Sequence, residues 1–190
     1  VSAIFRPSQI FFKWYGAEMR KMLKYYKCIC LQDENSAKLL SSIGITNTKV
    51  CGDTRFDRVL EVRRQAKPLP IVEYFAKKAA EENEKIFVAG SSWPKDEDII
   101  IPYFNNTTDL KLIIAPHEID EAHLKYLEGL LQRPYIRYSQ AIPEMMSDYD
   151  CLIIDSFGLL SSTYRYGHIA YVGGGFGVGI HNVLEAAVYD

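Results

Sequence analysis

Tyr171–Ala187, YVGGGFGVGIHNVLEAA, reads as an apolar strand running into a glycine-rich loop and then a helix that carries His181, Asn182 and Glu185. Glycine accepts positive φ and lets a ligand approach the backbone, and the free N–H groups and dipole of a helix start favour an anion. The stretch predicts a nucleotide-type α/β domain in which Gly173, Gly174, Gly175, Gly177 and Gly179 face a phosphorylated ligand. Val178 and Ile180 break the G-x-G-x-x-G pattern, and no G-K-[ST] follows, so a dinucleotide fingerprint and a P-loop are both disfavoured. A glycine-rich turn with a packing role alone is the plain alternative. The sequence stops at Asp190, one helix after this loop, and the expectation is a piece of a longer protein.

Upstream of the loop, strand-like and helix-like stretches alternate. Ser8–Tyr26 is helix-like, with Ile10, Phe11, Trp14, Tyr15, Met19 and Met22 on one face. Strands are expected at 27–31 and 49–52, with a helix at 33–43 closed by Gly44 between them. The charged stretch 54–70, ending in Pro68 and Pro70, suits a linker or crossover. The alternation then restarts: strands at 85–91, 110–116, 135–138, 151–155 and 169–172, with helices at 71–82, 95–104, 119–131, 143–147 and 159–166. Strands alternating with helices predict a doubly wound parallel sheet, and ligands of such sheets sit outside the carboxyl ends of the strands.

Four strand ends are polar or glycine-rich: Gly90-Ser91-Ser92-Trp93, Pro116-His117-Glu118, Asp155-Ser156-Phe157-Gly158, and the glycine loop. A lone Gly-Ser is usually a turn, and a lone His-Glu usually a helix cap. Their coincidence on one sheet edge is what points to a site.

The 190 residues are 48% hydrophobic, enough for one or two domain cores, and the net charge of −2 offers no nucleic-acid footprint. No apolar run reaches the ~18 residues that span a bilayer. Cys28, Cys30, Cys51 and Cys151 lie in strand-like runs, which fits a reducing compartment. Cys28 and Cys30 on one strand face read as small buried hydrophobes, in preference to a metal cluster with Cys51. Asp96-Glu97-Asp98 contains a D-x-D, but in the first turn of a helix, where capping and the dipole explain acidic residues. Asp53 and Asp57 read as turn and helix-start residues, and Arg55 and Arg58 as ligand contacts or as solvated ion-pair partners. Residues 1–30 hold six Lys or Arg against Glu18, so the first helix either packs on a core with a solvated basic face or lies on an anionic leaflet.

The ordered set G-D-T-R-F-D at 52–57, G-S-S-W at 90–93 with Asp96 and Glu97, P-H-E at 116–118, I-D-S-F-G at 154–158, and F-x-x-x-G-x-H-N-x-L-E-A from Phe176 resembles the 3-deoxy-D-manno-octulosonic acid (Kdo) transferases of lipopolysaccharide biosynthesis. The resemblance implies a GT-B glycosyltransferase of two Rossmann-like domains that moves Kdo from CMP-Kdo to a lipid A precursor (lipid IVA). Residues 1–62 would close the acceptor-binding domain, 63–70 would link, and 71–190 would form the CMP-Kdo domain. The family's catalytic carboxylate would lie upstream of Val1, so no catalytic residue is expected here and the fragment alone should not turn over. The resemblance also implies no metal, no cofactor, and peripheral association with the cytoplasmic face of the bacterial inner membrane, where the lipid acceptor lies.

Under that reading, Ser91, Ser92 and Gly158 would offer N–H groups to the leaving phosphate, aided by His117 and the adjoining Glu118. Glu185 would hold the ribose diol with Asn182 beside it, and Arg55 would pair with a carboxylate or phosphate. Leu159, Ile180 and Ala186 depart from the family pattern, where Glu, Gly and Pro are usual. Leu159 removes one expected polar contact. A GT-B-like sugar-nucleotide epimerase and a non-catalytic nucleotide-binding module are the competing readings.

Overall fold

The run Leu110–Pro116, LKLIIAP, is buried at every position, Lys111 included, as only a central strand covered on both faces can be. The structure, a computed structural model, describes residues 2–177, 179 and 182–189. His181, part of the glycine-loop motif, lies outside the described residues, as do Val178 and Ile180. The chain divides into two compact units, Val1–Arg58 and Val59–Asp190.

In the first unit, helix α1 (Ala17–Leu23), strand β1 (Ile29–Leu31), helix α2 (Glu34–Ser42) and strand β2 (Thr48–Val50) are followed by the start of helix α3 (Thr54–Arg64). Asp33 caps α2 by accepting from the Ser36 N–H at 2.7 Å. Strands β1 and β2 pair in parallel, Ile29 opposite Thr48, which is the expected βαβ arrangement. Leu23, Ile29, Leu31, Leu40 and Ile45 form its core.

Three expectations fail over residues 8–70. The helix over 8–26 is broken into a 3₁₀ turn, Ile10–Phe12, and α1. Gly16 sits where a Cβ would lie 1.9 Å from the Ile10 carbonyl oxygen, and Arg20 Nη1 donates to the Phe11 and Lys13 carbonyls at 3.0 and 2.9 Å, taking backbone acceptors of the break. The predicted apolar face is therefore largely exposed, and of its residues Phe11 packs against the core. Trp14 is 90% exposed, and Ile10, Tyr15, Met19 and Met22 are exposed too. The cysteines also differ from expectation: Cys28 and Cys51 are exposed and Cys30 half-buried, and only Cys151 is a buried hydrophobe. Cys28 precedes β1 and Cys51 follows β2, so neither is enclosed by the short two-stranded sheet. The stretch 54–70, expected as a linker or crossover, is helix as far as Arg64.

The second unit runs α4 (Pro70–Glu81), β3 (Lys85–Ser92), α5 (Pro94–Asn105), β4 (Leu110–Pro116), α6 (Glu121–Leu130), β5 (Tyr135–Arg137), β6 (Cys151–Ile153), α7 (Leu160–Thr163), β7 (Ile169–Val172) and α8 (Leu184–Ala187). Strands β3 to β7 form the predicted parallel sheet in the order β5-β6-β4-β3-β7. Alternate residues of β4 serve opposite faces. Ile113 and Ala115 meet Val72, Phe75 and Ala79 of α4, whereas Leu110, Leu112 and Ile114 meet Ile101 and Phe104 of α5 and Leu127 of α6. This is a three-layer α/β sandwich.

Lys111 Nζ, at the entry end of β4, lies 3.1 Å from Glu82, 3.3 Å from Glu84 and 3.2 Å from Asp150. Burial opposes its charge, but these three carboxylates outweigh burial and hold the ammonium above the usual lysine range. Burial, more than the ammonium opposes, pushes the Glu84 carboxyl up. Lys111→Met is expected to cost about 3–5 kcal/mol near neutral pH because it strands a half of a buried ion pair. A raised folded-state pKa means that protonating Glu84 favours folding as pH falls, so the cost should shrink toward about pH 5. Urea unfolding at both pH values checks this; equal costs would count against Glu84 as the stranded charge.

Candidate functional site

Because all five strands are parallel, their carboxyl ends share one edge, and β3 stands where the chain goes to β4 on one side and later returns as β7 on the other. That is the switch point at which such sheets bind ligands. Ser91 adopts φ +51° and interrupts the ladder, since Gly90 pairs with Ala115 and Ser92 with Pro116. A left-handed non-glycine residue costs on the order of 1–3 kcal/mol and persists only where its surroundings hold it. Here Gly173 holds it: the Gly173 N–H donates to the Gly90 carbonyl at 2.9 Å, and a Cβ on Gly173 would stand 2.3 Å from the Ser91 carbonyl oxygen.

The three consecutive acids of α5 turn three ways. Asp96, 1% exposed, accepts from the Trp93 N–H at 2.9 Å, the Gly174 N–H at 3.1 Å and the Tyr171 hydroxyl at 2.6 Å. It is a cap, as expected, and also a clamp between the ends of β3 and β7. Burial first, and the Asp96 hydrogen bond second, push the Tyr171 phenol up to about 12. Glu97, fully buried, accepts from Ser92 Oγ at 2.8 Å and bonds His123 Nε2 at 2.8 Å. Asp98 accepts from Tyr126.

The predicted site residues divide accordingly. Ser91, His117, Ser156 and Gly158 line one cleft of about 220 Å³ at the ends of β3, β4 and β6. Gly158 has φ +79°. The His117 ring stacks on Trp93, centroids 4.5 Å apart, and the His117 backbone N–H donates to the Ser92 carbonyl. Ser92 itself is 0% exposed with its hydroxyl spent on Glu97, so its side chain is withdrawn from any ligand. A second recess, about 450 Å³, is lined by Trp93, Lys95, Phe176, Gly174 and Gly177. Gly177 and Gly179 take φ +116° and +107°, which need glycine, and Gly175 stands in open space. Glu118 faces away from the cleft of His117, into a recess of about 380 Å³ with Asp120 and His123.

Asn182 precedes α8 instead of sharing a helical face with Glu185, though its Nδ2 donates to Glu185 Oε1 at 3.1 Å. Glu185 is half-buried, and its charge adds to burial in raising the Tyr164 phenol. Arg55 belongs to the first unit, where its guanidinium grips Asp53 at 2.6 and 2.8 Å and its hydrogen bonds hold that carboxyl below the usual range. Trp93, Tyr171 and Phe176 were not singled out as site residues in the sequence. Trp93 could have been, as the aromatic ending of a strand-end Gly-Ser-Ser run.

Three known proteins are similar to this chain. A 3-deoxy-D-manno-octulosonic acid transferase of Rickettsia prowazekii is 24% identical over 178 residues, 89% of this chain and 36% of that protein. One from Chlamydia trachomatis is 29% identical over 166 residues, 83% of this chain and 37% of that protein. These matches, at 24–29% identity over most of the chain, support the Kdo transferase family. The chain spans about a third of the length of these relatives. A solved structure, the C-terminal CMP-Kdo binding domain of WaaA from Acinetobacter baumannii, is 24% identical with a TM-score of 0.48, covering 60% of this chain and 66% of that one. No protein-family model matches.

Gly173→Ala should force the Ser91 carbonyl and Asp96 apart and destabilise the fold by about 1–3 kcal/mol. Gly175→Ala, with nothing within 4 Å, is the control. Thermal melts of the two variants compare them; equal melting points would remove the Gly173–Ser91 contact as a constraint.

Proposed function

We propose that the protein to which these residues belong transfers Kdo from CMP-Kdo to a lipid A precursor, and that residues 71–190 hold the donor. Residues 1–62 would close the acceptor-binding domain, with 63–70 joining the two. The observation that carries the reading is the convergence of Ser91, His117 and Gly158 from three strand ends on one cleft at the switch point, in a chain whose relatives bear the transferase name.

In this reading an acceptor hydroxyl attacks the anomeric carbon of Kdo. Its C–O bond forms as the bond to the CMP phosphate oxygen breaks, and the leaving phosphate takes up the charge. The hydroxyl proton passes to a carboxylate outside these residues. Backbone N–H groups at Ser91 and Gly158, with His117 at the rim, would stabilise the growing phosphate charge; one such donor is worth ~3 kcal/mol of barrier. Glu185, acceptor-only when ionised, suits the ribose diol, and Asn182, bonded to it, would fix its rotamer. Calorimetry with CMP should show binding that Glu185→Ala weakens by about 1–3 kcal/mol. Tight UDP binding with none to CMP would favour a UDP-sugar epimerase instead.

The lipid acceptor accounts for the exposed face of the first unit. Trp14 and Tyr25 are 90% and 88% exposed beside Lys13, Lys21, Lys24 and Lys27, the composition of a segment that lies on an anionic leaflet, where each Lys is worth about 1 kcal/mol. Among the described residues no helix is long and apolar enough to cross a membrane, and this segment would meet the cytoplasmic face of the inner membrane from its surface. Trp14→Ala with Tyr25→Ala should lower co-sedimentation with anionic vesicles. Equal recovery on zwitterionic and anionic vesicles would rule this face out.

A further inference from the structure

The most unusual group outside the cleft is His123 on α6. Its side chain is 6% exposed. Nε2 meets the fully buried Glu97 carboxylate at 2.8 Å, and Glu97 is itself oriented by Ser92 Oγ at 2.8 Å. A carboxylate is an acceptor, so Nε2 carries the proton and Nδ1 presents its lone pair. Nδ1 is buried and has no hydrogen-bond partner. A buried lone pair without a donor is costly, and the groups beside it make the cost worse.

Glu118, Asp120 and His123 each bring a ligand atom within 4.8 Å of the others, and Nε2 being taken, Nδ1 is the nitrogen left to join the two carboxylates. Asp98 and Tyr126 stand close by, bonded to each other, and among the described residues no Lys or Arg pairs with Glu118, Asp120 or Glu97. Asp120 also accepts from the Ala122 and His123 N–H groups at 3.0 and 3.1 Å, which fixes it at the start of α6 and leaves an oxygen free. Two carboxylates beside an imidazole with an idle lone pair make a donor set that a cation would satisfy. Ligand bonds of about 2.1 Å at tetrahedral angles put such atoms roughly 3.4 Å apart, so the three side chains, within 4.8 Å of one another, would draw together around an ion. A carboxylate on the far ring nitrogen is the usual outer support of a metal-binding histidine.

We infer that Glu118, Asp120 and Nδ1 of His123 form a divalent transition-metal site, Zn²⁺ or Mn²⁺ by its one-nitrogen, two-oxygen donor set, with Glu97 as its outer support. It is separate from the D-x-D pair, whose Asp96 is committed to Trp93, Gly174 and Tyr171. The ion would tether the loop between β4 and α6, and with it His117 at the cleft.

The chelator-stripped protein, free of nucleotide, is titrated calorimetrically with Zn²⁺ and with Mn²⁺ in a Cys28→Ser, Cys30→Ser, Cys51→Ser background that removes competing thiols. One-to-one binding is expected, with a rise in melting temperature. Glu97→Gln should weaken it by about 10–100-fold. Glu118→Gln with Asp120→Asn, exposed changes that retain the helix cap, should abolish it without altering the metal-free melt. Absence of binding by either ion at millimolar concentration, or undiminished affinity in the double variant, would overturn the assignment. Because no nucleotide is present, either result is independent of whether the cleft takes CMP.

Discussion

The buried carboxylate of Asp96 is the point on which the functional edge depends. It takes hydrogen bonds from Trp93, Gly174 and Tyr171, and so joins the strand-to-helix turn after β3 to the glycine loop after β7. Ser91 can keep its left-handed backbone only because that join presses Gly173 against it. The two clefts at this edge inherit their shape from this one contact, since one is walled by Ser91 and the other by Gly174 and Asp96.

Charge is distributed unevenly between the two ends of the sheet. At the entry end of β4, a buried ammonium meets three carboxylates, one of which also pairs with Arg133. At the exit end, Asp96, Glu97, Glu118 and Asp120 gather with no Lys or Arg paired to them among the described residues, and Glu97 meets the imidazole of His123. Asp96 is offset by donors from the backbone and Tyr171, whereas the Glu97–His123 pair passes its unmet demand outward to Glu118 and Asp120. Neighbouring acids in one helical turn therefore do different work because successive positions, about 100° apart, point into different surroundings.

Much of this was legible from residue order. The apolar run 110–116 could only be a covered parallel strand, and the alternation of strands and helices placed Ser91, His117, Gly158 and the glycine loop on one edge before any coordinates. The helix over 8–26 was misread because its apolar spacing is regular while Gly16 and the Arg20 bonds to the Phe11 and Lys13 carbonyls, which end it, act through the backbone. Cys28 and Cys51 were misread for a related reason: alternation describes a strand's faces, not how short the strand is or what lies over it.

The sequence by itself determined the α/β class, the parallel order of elements and the likeness to Kdo transferases, because periodicity and ordered motifs are properties of the chain taken linearly. Only the tertiary structure decided which polar residues face ligand and which face one another. Ser92 is turned inward to Glu97, Asp96 to Tyr171 seventy-five positions away, and His123 to a carboxylate twenty-six positions before it. Such pairings are set by which side chains the packed layers bring within 3 Å, and burial then makes each one obligatory, since a polar group removed from water must find its partner there.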